Sequence, residues 1–349
     1  MVADTGDRIV STAAADMSLA VIINLNSRRG RQDAPDLVRR LLPEARLLVS
    51  STLEELETFV TGELKRNPPS LLLAGGGDGT ITGLINTLLR HNVPLPPMGI
   101  LPLGTGNAWA RVADVPKNVE RALKRLAKLD LSRLPTQPFN LVRVEGQVGP
   151  FAGTGWDADL LQDFKAQLEG WPAGPIRDAH RGFRGYVTAL YTRTVSRHVF
   201  GGGPPRVKIF NLGQDVQSVD AKGRRVVLSD YGHGSVLYDG VLGVAGAATI
   251  EEYGFGLRAY PFARLIPDRL NVRVYGAKIM RGVVNSVRLW RGVHPLSHMH
   301  DFFVTKARME FDRPLPVQVA GDVLGARTSV EFELDDHHVQ FLDWSRIPS

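Results

Sequence analysis

Residues 71–80 read Leu71-Leu72-Leu73-Ala74-Gly75-Gly76-Gly77-Asp78-Gly79-Thr80, an apolar run that breaks into three glycines, one acid and then a helical pattern. The run from Ser70 to Ala74 has the unbroken apolar character of a strand buried on both faces. The glycines let the backbone approach a ligand closely and adopt left-handed conformations. The N–H groups at the start of the following helix form a ready cradle for phosphate oxygens. An aspartate inside such a loop repels phosphate unless a divalent cation or a transferred proton is involved, so Asp78 points to chemistry over passive anion binding. The bland alternative is a tight strand-to-helix turn with an acidic cap. The loop is not a Walker A loop, because the GK[ST] ending is missing.

Working outward, Leu19–Leu25 (LAVIINL) is a second buried strand, followed by a polar turn at 26–33 and a short helix over Pro35–Leu42 with proline in its first turn. Ala45–Val49 reads as a strand. Ser51 or Thr52 caps the next helix, with Glu54 and Glu55 favouring its N-terminal dipole. A helix is expected over Gly79–Leu89, a strand over Met98–Pro102, and helices from Asn107 and over Asn118–Leu129. This alternation predicts a mostly parallel α/β sheet. From Phe139 the texture changes to short alternating segments: Asn140–Val144, Arg206–Phe210, Arg225–Leu228, Leu270–Val274, Val283–Leu289, Arg308–Phe311, Val317–Ala320 and Ser329–Leu334. Turn residues punctuate them, which predicts an antiparallel sandwich or barrel interrupted by a helix near Phe183–Ser196. The expected fold class is an α/β nucleotide-binding domain followed by a β-rich, sandwich-like domain. Its expected divisions are a flexible leader at 1–17, the α/β domain at 18–135, a β-rich domain at 136–330, and a terminal segment at 331–349 that returns to the first domain.

Composition narrows the classes. A chain of 349 residues exceeds one ordinary core. With no cysteine there is no disulfide framework, thiolate metal site or cysteine nucleophile. The net charge of +6 favours polyanionic partners without choosing among them. The first residues carry mixed charge and lack a signal-peptide pattern. No apolar stretch reaches the ~20 residues of a spanning helix, so any membrane contact is expected to be peripheral.

A second glycine motif follows the fourth strand: Gly99-Ile100-Leu101-Pro102-Leu103-Gly104-Thr105-Gly106-Asn107-Ala108-Trp109-Ala110-Arg111. Ligands of open α/β sheets bind beyond the carboxyl ends of the strands, so two glycine loops at two such ends line one crevice. Together the two loops resemble the catalytic domain of the diacylglycerol kinase and sphingosine kinase superfamily of lipid kinases. GGGDGT alone is broader, since NAD kinases and phosphofructokinases carry a similar loop; LPLGTGNAWAR is what points to lipid kinases. The resemblance continues at Asn24-Leu25-Asn26-Ser27 (family pattern N-P-x-S-G), at Phe151-Ala152-Gly153-Thr154-Gly155-Trp156-Asp157 and at Tyr238-Asp239-Gly240-Val241-Leu242.

The resemblance implies transfer of the γ-phosphate of ATP to a lipid hydroxyl, with magnesium (Mg2+) as the metal. Diacylglycerol is the first expectation for the acceptor, and ceramide or a sphingoid base the runner-up given Gly106-Asn107-Ala108. It implies nucleotide contacts at Gly75, Gly76, Gly77, Gly79 and Thr80, at Gly104, Thr105 and Asn107, with Asn24 and Ser27 nearby and Ser50 a weaker candidate. Asp78 would organise metal and reacting groups, and Asp239 matches a metal-binding aspartate. The family's late Asp-Gly-Glu, a source of the general base, is here Ala320-Gly321-Asp322, so Asp322 and Asp78 are the expected catalytic carboxylates. Two other departures are Ala108, where bacterial diacylglycerol kinases carry an aspartate, and Ser27-Arg28 in place of Ser-Gly. The implied partners are a membrane lipid and an anionic membrane touched from the cytoplasmic, inner face. No nucleic-acid module is present, and a homodimer is left open. Arg177, Arg181, Arg184, Arg193 and Arg197 read equally as a membrane-docking face or as a solvated one. His294, His298 and His300 read as polar loop histidines more readily than as a metal cluster. The rival functions are an NAD-kinase-like enzyme on a soluble substrate and an inactive lipid- or nucleotide-binding protein.

Overall fold

A computed structural model describes residues 18–27, 33–104, 106–201 and 203–348. The leader expected over 1–17 and the candidate Thr105 lie outside the described residues. The first half alternates as its apolar runs demand: β1 (Leu19–Asn24), α1 (Ala34–Leu41), β2 (Arg46–Ser50), α2 (Leu53–Phe59) extended by a π-helical turn, β3 (Leu71–Gly76), α3 (Asp78–Arg90), β4 (Met98–Pro102), α4 (Ala108–Val112) and α5 (Val119–Leu126). Strand residues alternate sides, and both sides of β1 are buried. Ala20 and Ile22 pack with α2 and α3 through Leu56, Ile81, Leu84 and Leu88. Val21 and Ile23 pack with α1 and α5 through Leu37, Val38, Ala122 and Leu123. Coverage on both faces is why these strands read as unbroken apolar runs. Thr52 caps α2 in a capping box: the Glu55 N–H donates to Thr52 Oγ1 at 3.2 Å and the Thr52 N–H to Glu55 Oε2 at 3.3 Å.

The four strands run parallel in the order β2-β1-β3-β4. The sheet is continued by the strand Val339–Leu342, parallel to β4, and then by β5 (Thr136–Phe139), antiparallel to that last strand. Phe341 on this C-terminal strand packs against Trp109 in a tilted contact and against Phe139 edge to face, ring centroids 5.0 and 5.5 Å away. The last turn is tied down by Arg125, whose guanidinium donates to the carbonyls of Trp344 and Pro348.

The second half is a 12-stranded sheet. Its strands pair antiparallel throughout, and its spine is the long hairpin Lys306–Val319 with Asp322–Leu334. Val319 pairs with Asp322, so Ala320 and Gly321 form a two-residue turn with φ of 50° and 93°. Positive φ at both central residues marks a type I′ turn, whose twist matches the flanking strands. One expected strand is overturned: Val283–Leu289 is helical, in the segments Ile279–Val284 and Ser286–Trp290. Met280, Val284 and Val287 are spaced three and four apart, a helical period that a short β-rich run imitates. A helix with no counterpart in the sequence reading, α6 (Trp156–Glu169), follows the strand Phe151–Gly155 directly.

The two halves share one core. Phe151, Ala248 and Ile250 join the cluster built on α2 and α3. The Asn86 side chain of α3 bonds both ways to the Val148 backbone, donating to its carbonyl at 2.7 Å and accepting its N–H at 2.8 Å. Phe341 sits at the centre of the aromatic cluster and is 1% exposed. Phe341→Ala is expected to lower stability by about 3–5 kcal/mol. Urea unfolding should show a lower midpoint with an unchanged m-value; a loss below about 1 kcal/mol would show that the C-terminal strand adds little to the first sheet.

Candidate active site

The carboxyl ends of β1, β2, β3 and β4 lie side by side and gather most of the sequence candidates. Asn24 ends β1 and pairs in register with Ser50, the buried last residue of β2. The Asn24 side-chain amide donates to Thr80 Oγ1 at 3.0 Å, which ties the first loop to α3. Ser27 Oγ donates to the Asn24 carbonyl at 2.7 Å, and the Asn26 N–H donates to Asn24 Oδ1 at 2.9 Å, so Asn24 organises its own turn.

Gly75 and Gly76 belong to β3, paired with Leu101 and Pro102 of β4. The two glycine loops then meet backbone to backbone. A methyl group on Gly104 would stand 2.2 Å from Gly77 Cα and 2.9 Å from its nitrogen. The Leu103 N–H donates to the Gly76 carbonyl at 3.1 Å, closing the contact. Asn107 is left-handed (φ 50°) and its side chain donates to the Gly104 carbonyl at 2.8 Å. By contrast, a methyl group on Gly79 would meet no heavy atom within 4 Å. Gly79 faces open space at the first turn of α3, where backbone N–H groups have no intrahelical partner.

Asp78 opens α3. Its Oδ1 accepts the Trp109 N–H at 3.0 Å, so the acid at the head of one helix holds the first turn of the next. Burial pushes the Asp78 carboxyl up, opposed by the N–H groups of Ala108 and Trp109 and by Arg111. Arg111 also donates to the Gly106 carbonyl and pairs with Glu252 from the second half.

Gly77, Asp78, Gly79 and Gly106 line one side of a cleft of about 810 Å³. The opposite side comes from the second half: α6, the helix Phe183–Ala189 with its π-helical extension, the 253–257 loop and the Ala320-Gly321 turn. Asp157, in the first turn of α6, faces this cleft and also borders an apolar cavity of about 180 Å³ lined by Tyr260, Tyr275, Leu289 and Leu296. Asp157 Oδ2 accepts the Tyr253 hydroxyl at 2.5 Å and the Gln318 amide at 3.4 Å, while Oδ1 is buried with no partner. Burial pushes the Asp157 carboxyl up to about 6, against the pull of the Tyr253, Ala158 and Gln318 hydrogen bonds. The sequence reading quoted Asp157 only as the end of a matching segment. Its signal was there, since Phe151–Asp157, like Leu71–Asp78, runs from a strand through glycine to an aspartate in the first turn of a helix.

Two sequence candidates lie elsewhere. Asp322 stands just past the hairpin turn with its side chain 76% exposed, 3.4 Å from Lys165 Nζ, and does not line the cleft. Asp239 sits on the strand Val236–Val241, and Arg206 (3.3 Å) and Lys208 (3.9 Å) already neutralise its carboxylate. Among the described residues no group of three or more histidines and acids could hold a metal ion, and His294, His298 and His300 contact Asp220, Arg281 and Tyr238 respectively.

Two outcomes follow for stability. Gly104→Ala forces the two loops apart and is expected to lower the melting temperature, whereas Gly79→Ala is expected to leave it unchanged or slightly raised; equal behaviour of the two in a thermal melt would refute the close packing described. Asp157 binds its proton more tightly folded than unfolded. Its contribution is therefore neutral below the ordinary value of 3.8, and stability is lost as pH rises from there through about 6. Asp157→Asn is expected to flatten that part of the stability–pH curve, and an unaltered slope would show the carboxyl to be unperturbed.

Comparison with known proteins agrees with this geometry. Residues 18–136 match the diacylglycerol kinase catalytic domain. A protein of Pseudomonas fluorescens named "Probable lipid kinase YegS-like" is 32% identical over 153 residues, covering 40% of this chain and 48% of its own. A protein of the same name from Yersinia enterocolitica is 30% identical over 142 residues, covering 37% of this chain and 46% of its own. The chain thus spans less than half the length of these curated relatives. The crystal structure of a diacylglycerol kinase from Bacillus anthracis superimposes with a TM-score of 0.61 at 15% identity, over 95% of this chain and 98% of that one, which establishes a common fold. The matched domain and its two glycine loops lead to one conclusion: residues 18–136 form a diacylglycerol kinase catalytic domain, carried by a chain that shares the fold of the solved diacylglycerol kinase.

Proposed function

We propose that this protein transfers the γ-phosphoryl group of ATP to a hydroxyl group of a membrane lipid, with diacylglycerol the first acceptor to test and ceramide or a sphingoid base the alternative. One observation carries the reading: the cleft that holds Gly77, Asp78 and Gly79 on one side is walled on the other by Leu160, Leu161, Val187 and Leu190. A phosphate-binding loop facing an apolar wall suits a substrate with a polar end and hydrocarbon chains. A soluble acceptor such as a dinucleotide has no use for that wall.

The triphosphate would rest on the open N–H groups at the start of α3, with Gly79 leaving room for it and the adjoining loop of Gly104 and Asn107 beside it. Asn24, Ser27 and Ser50 shape the adjoining strand ends. Asp78 fits a magnesium ion, because a buried carboxylate whose charge is costly to hold gains most from a cation beside it. Such an ion would supply neutralisation of phosphate charge. Asp239 does not fit that role here, since two cationic side chains already occupy it. Phosphoryl transfer asks little covalent chemistry of the protein, so positioning by these backbone groups is the main contribution.

Peripheral docking on an anionic inner leaflet is part of the same reading. Among the described residues no helix is long and apolar enough to cross a membrane. The segment Val195–Phe200 packs beside Ile279–Val284, and together they expose Phe200, Met280 and Val284. Of the five arginines singled out in the sequence, Arg197 is drawn into Asp159 and Asp163 and Arg181 pairs with Asp178, which leaves Arg177, Arg184 and Arg193 for phosphate headgroups.

The test is transfer of labelled γ-phosphate by the purified protein, with magnesium, across diacylglycerol, monoacylglycerol, ceramide, sphingosine and a no-lipid control in mixed micelles. A labelled lipid is expected from the wild type. Asp78→Asn is expected to lower turnover by about 100-fold or more. Gly79→Ala, folded as described, is expected to weaken ATP binding. Transfer to NAD in place of any lipid would overturn the reading, as would ATP binding with no transfer at all.

A further inference from the structure

We propose that Asp157 receives the acceptor's hydroxyl group and takes its proton during transfer, an inference that rests on the kinase reading above. The hairpin end offers the cleft no carboxylate: Ala320 has none, and Asp322 is exposed beside Lys165. Asp78 remains in the cleft, but one of its oxygens is engaged by the Trp109 N–H. Asp157 is the other aspartate lining the cleft, and it stands at the junction with the apolar cavity. An acceptor whose chain enters that cavity would bring its polar end past Asp157 towards the glycine loops.

The side chain is prepared for one partner. Oδ2 is fixed by the Tyr253 hydroxyl, which Gln318 in turn holds, and Gln318 is anchored by the Gly321 N–H at 2.9 Å. Oδ1 is buried and unpaired. A buried carboxylate oxygen without a donor is costly, and an incoming hydroxyl would relieve it. The start of α6 favours the ionised form needed to accept a proton. The groups acting on the carboxylate are Tyr253 and Tyr260 from the second half, Gln318 from the hairpin, and Ala158 and Asp159 on its own helix; Arg273 lines the same cavity and Asp78 the same cleft. In the step, the acceptor oxygen bonds to the γ-phosphorus. The bond from that phosphorus to the bridging oxygen breaks, its electron pair leaves with ADP, and the hydroxyl proton moves to Asp157 Oδ1. The proton is later lost to solvent. Burial places the carboxyl near 6, suited to accept a proton near neutral pH.

The experiment compares wild type, Asp157→Asn and Tyr253→Phe in the labelled-phosphate assay, with ATP affinity measured separately and pH varied from 5 to 9. The wild-type kcat/KM is expected to rise with pH through about 6 and then level. Asp157→Asn is expected to lose about 100-fold or more in kcat while binding ATP as the wild type does. Tyr253→Phe removes a hydrogen bond that favours the ionised carboxylate, so its acid limb should move to higher pH with ATP affinity unchanged. An Asp157→Asn protein that binds ATP and keeps a tenth or more of the turnover overturns the proposal, and so does an acid limb unmoved in Tyr253→Phe. A wild type that binds ATP but phosphorylates no lipid overturns the kinase reading itself.

Discussion

Gly77 and Gly104 touch with almost no space between their backbones, and the rest of the site depends on that approach. It brings the end of β3 against the end of β4. Only then can Asp78, at the head of α3, accept the N–H of Trp109, at the head of α4. Trp109 in turn anchors the ring cluster with Phe139 and Phe341 and so couples the cleft to the C-terminal strand. A side chain at Gly104 would separate the loops, so the residue type there is dictated by packing. At Gly79 nothing in the protein demands a glycine, and the space is left for something outside the chain.

The cleft carries two half-buried carboxylates from different halves of the molecule. Asp78 and Asp157 each lie just past a strand that runs into glycine, Asp78 as the first residue of its helix and Asp157 as the second. Desolvation works against the charge of both, and for both the opposing help is a small set of directed hydrogen bonds. Their environments nevertheless differ. Asp78 is held by the N–H groups at the head of α4 and neighbours Arg111, whereas Asp157 has the Tyr253 phenol and the Gln318 amide on Oδ2 and an unpaired Oδ1. The proposed division between a metal-holding and a proton-accepting acid rests on that difference in surroundings.

The hairpin turn at Ala320-Gly321 explains the displacement of Asp322. Once Val319 pairs with Asp322, the two residues between them must take positive φ, and the next side chain starts the returning strand on the outer side. A carboxylate one position beyond a two-residue turn therefore meets Lys165 and solvent instead of the cleft. Gln318, on the inward side of the same hairpin, reaches Tyr253 and Asp157.

The amino-acid sequence alone determined the parallel strands, the capped helices and the two glycine loops, because apolar period and turn chemistry are properties of near neighbours. It also placed Asn24, Ser50, Gly77 and Asp78 at strand ends, where ligands of such sheets collect. It misread Val283–Leu289, since a short apolar run carries either period equally well. Tertiary structure alone decided that Val339–Leu342 inserts between β4 and β5, that Asp157 faces the glycine loops, and that Asp322 does not. Those outcomes turn on strand register and on burial by segments far apart in the chain, and neither is written in the local pattern of residues.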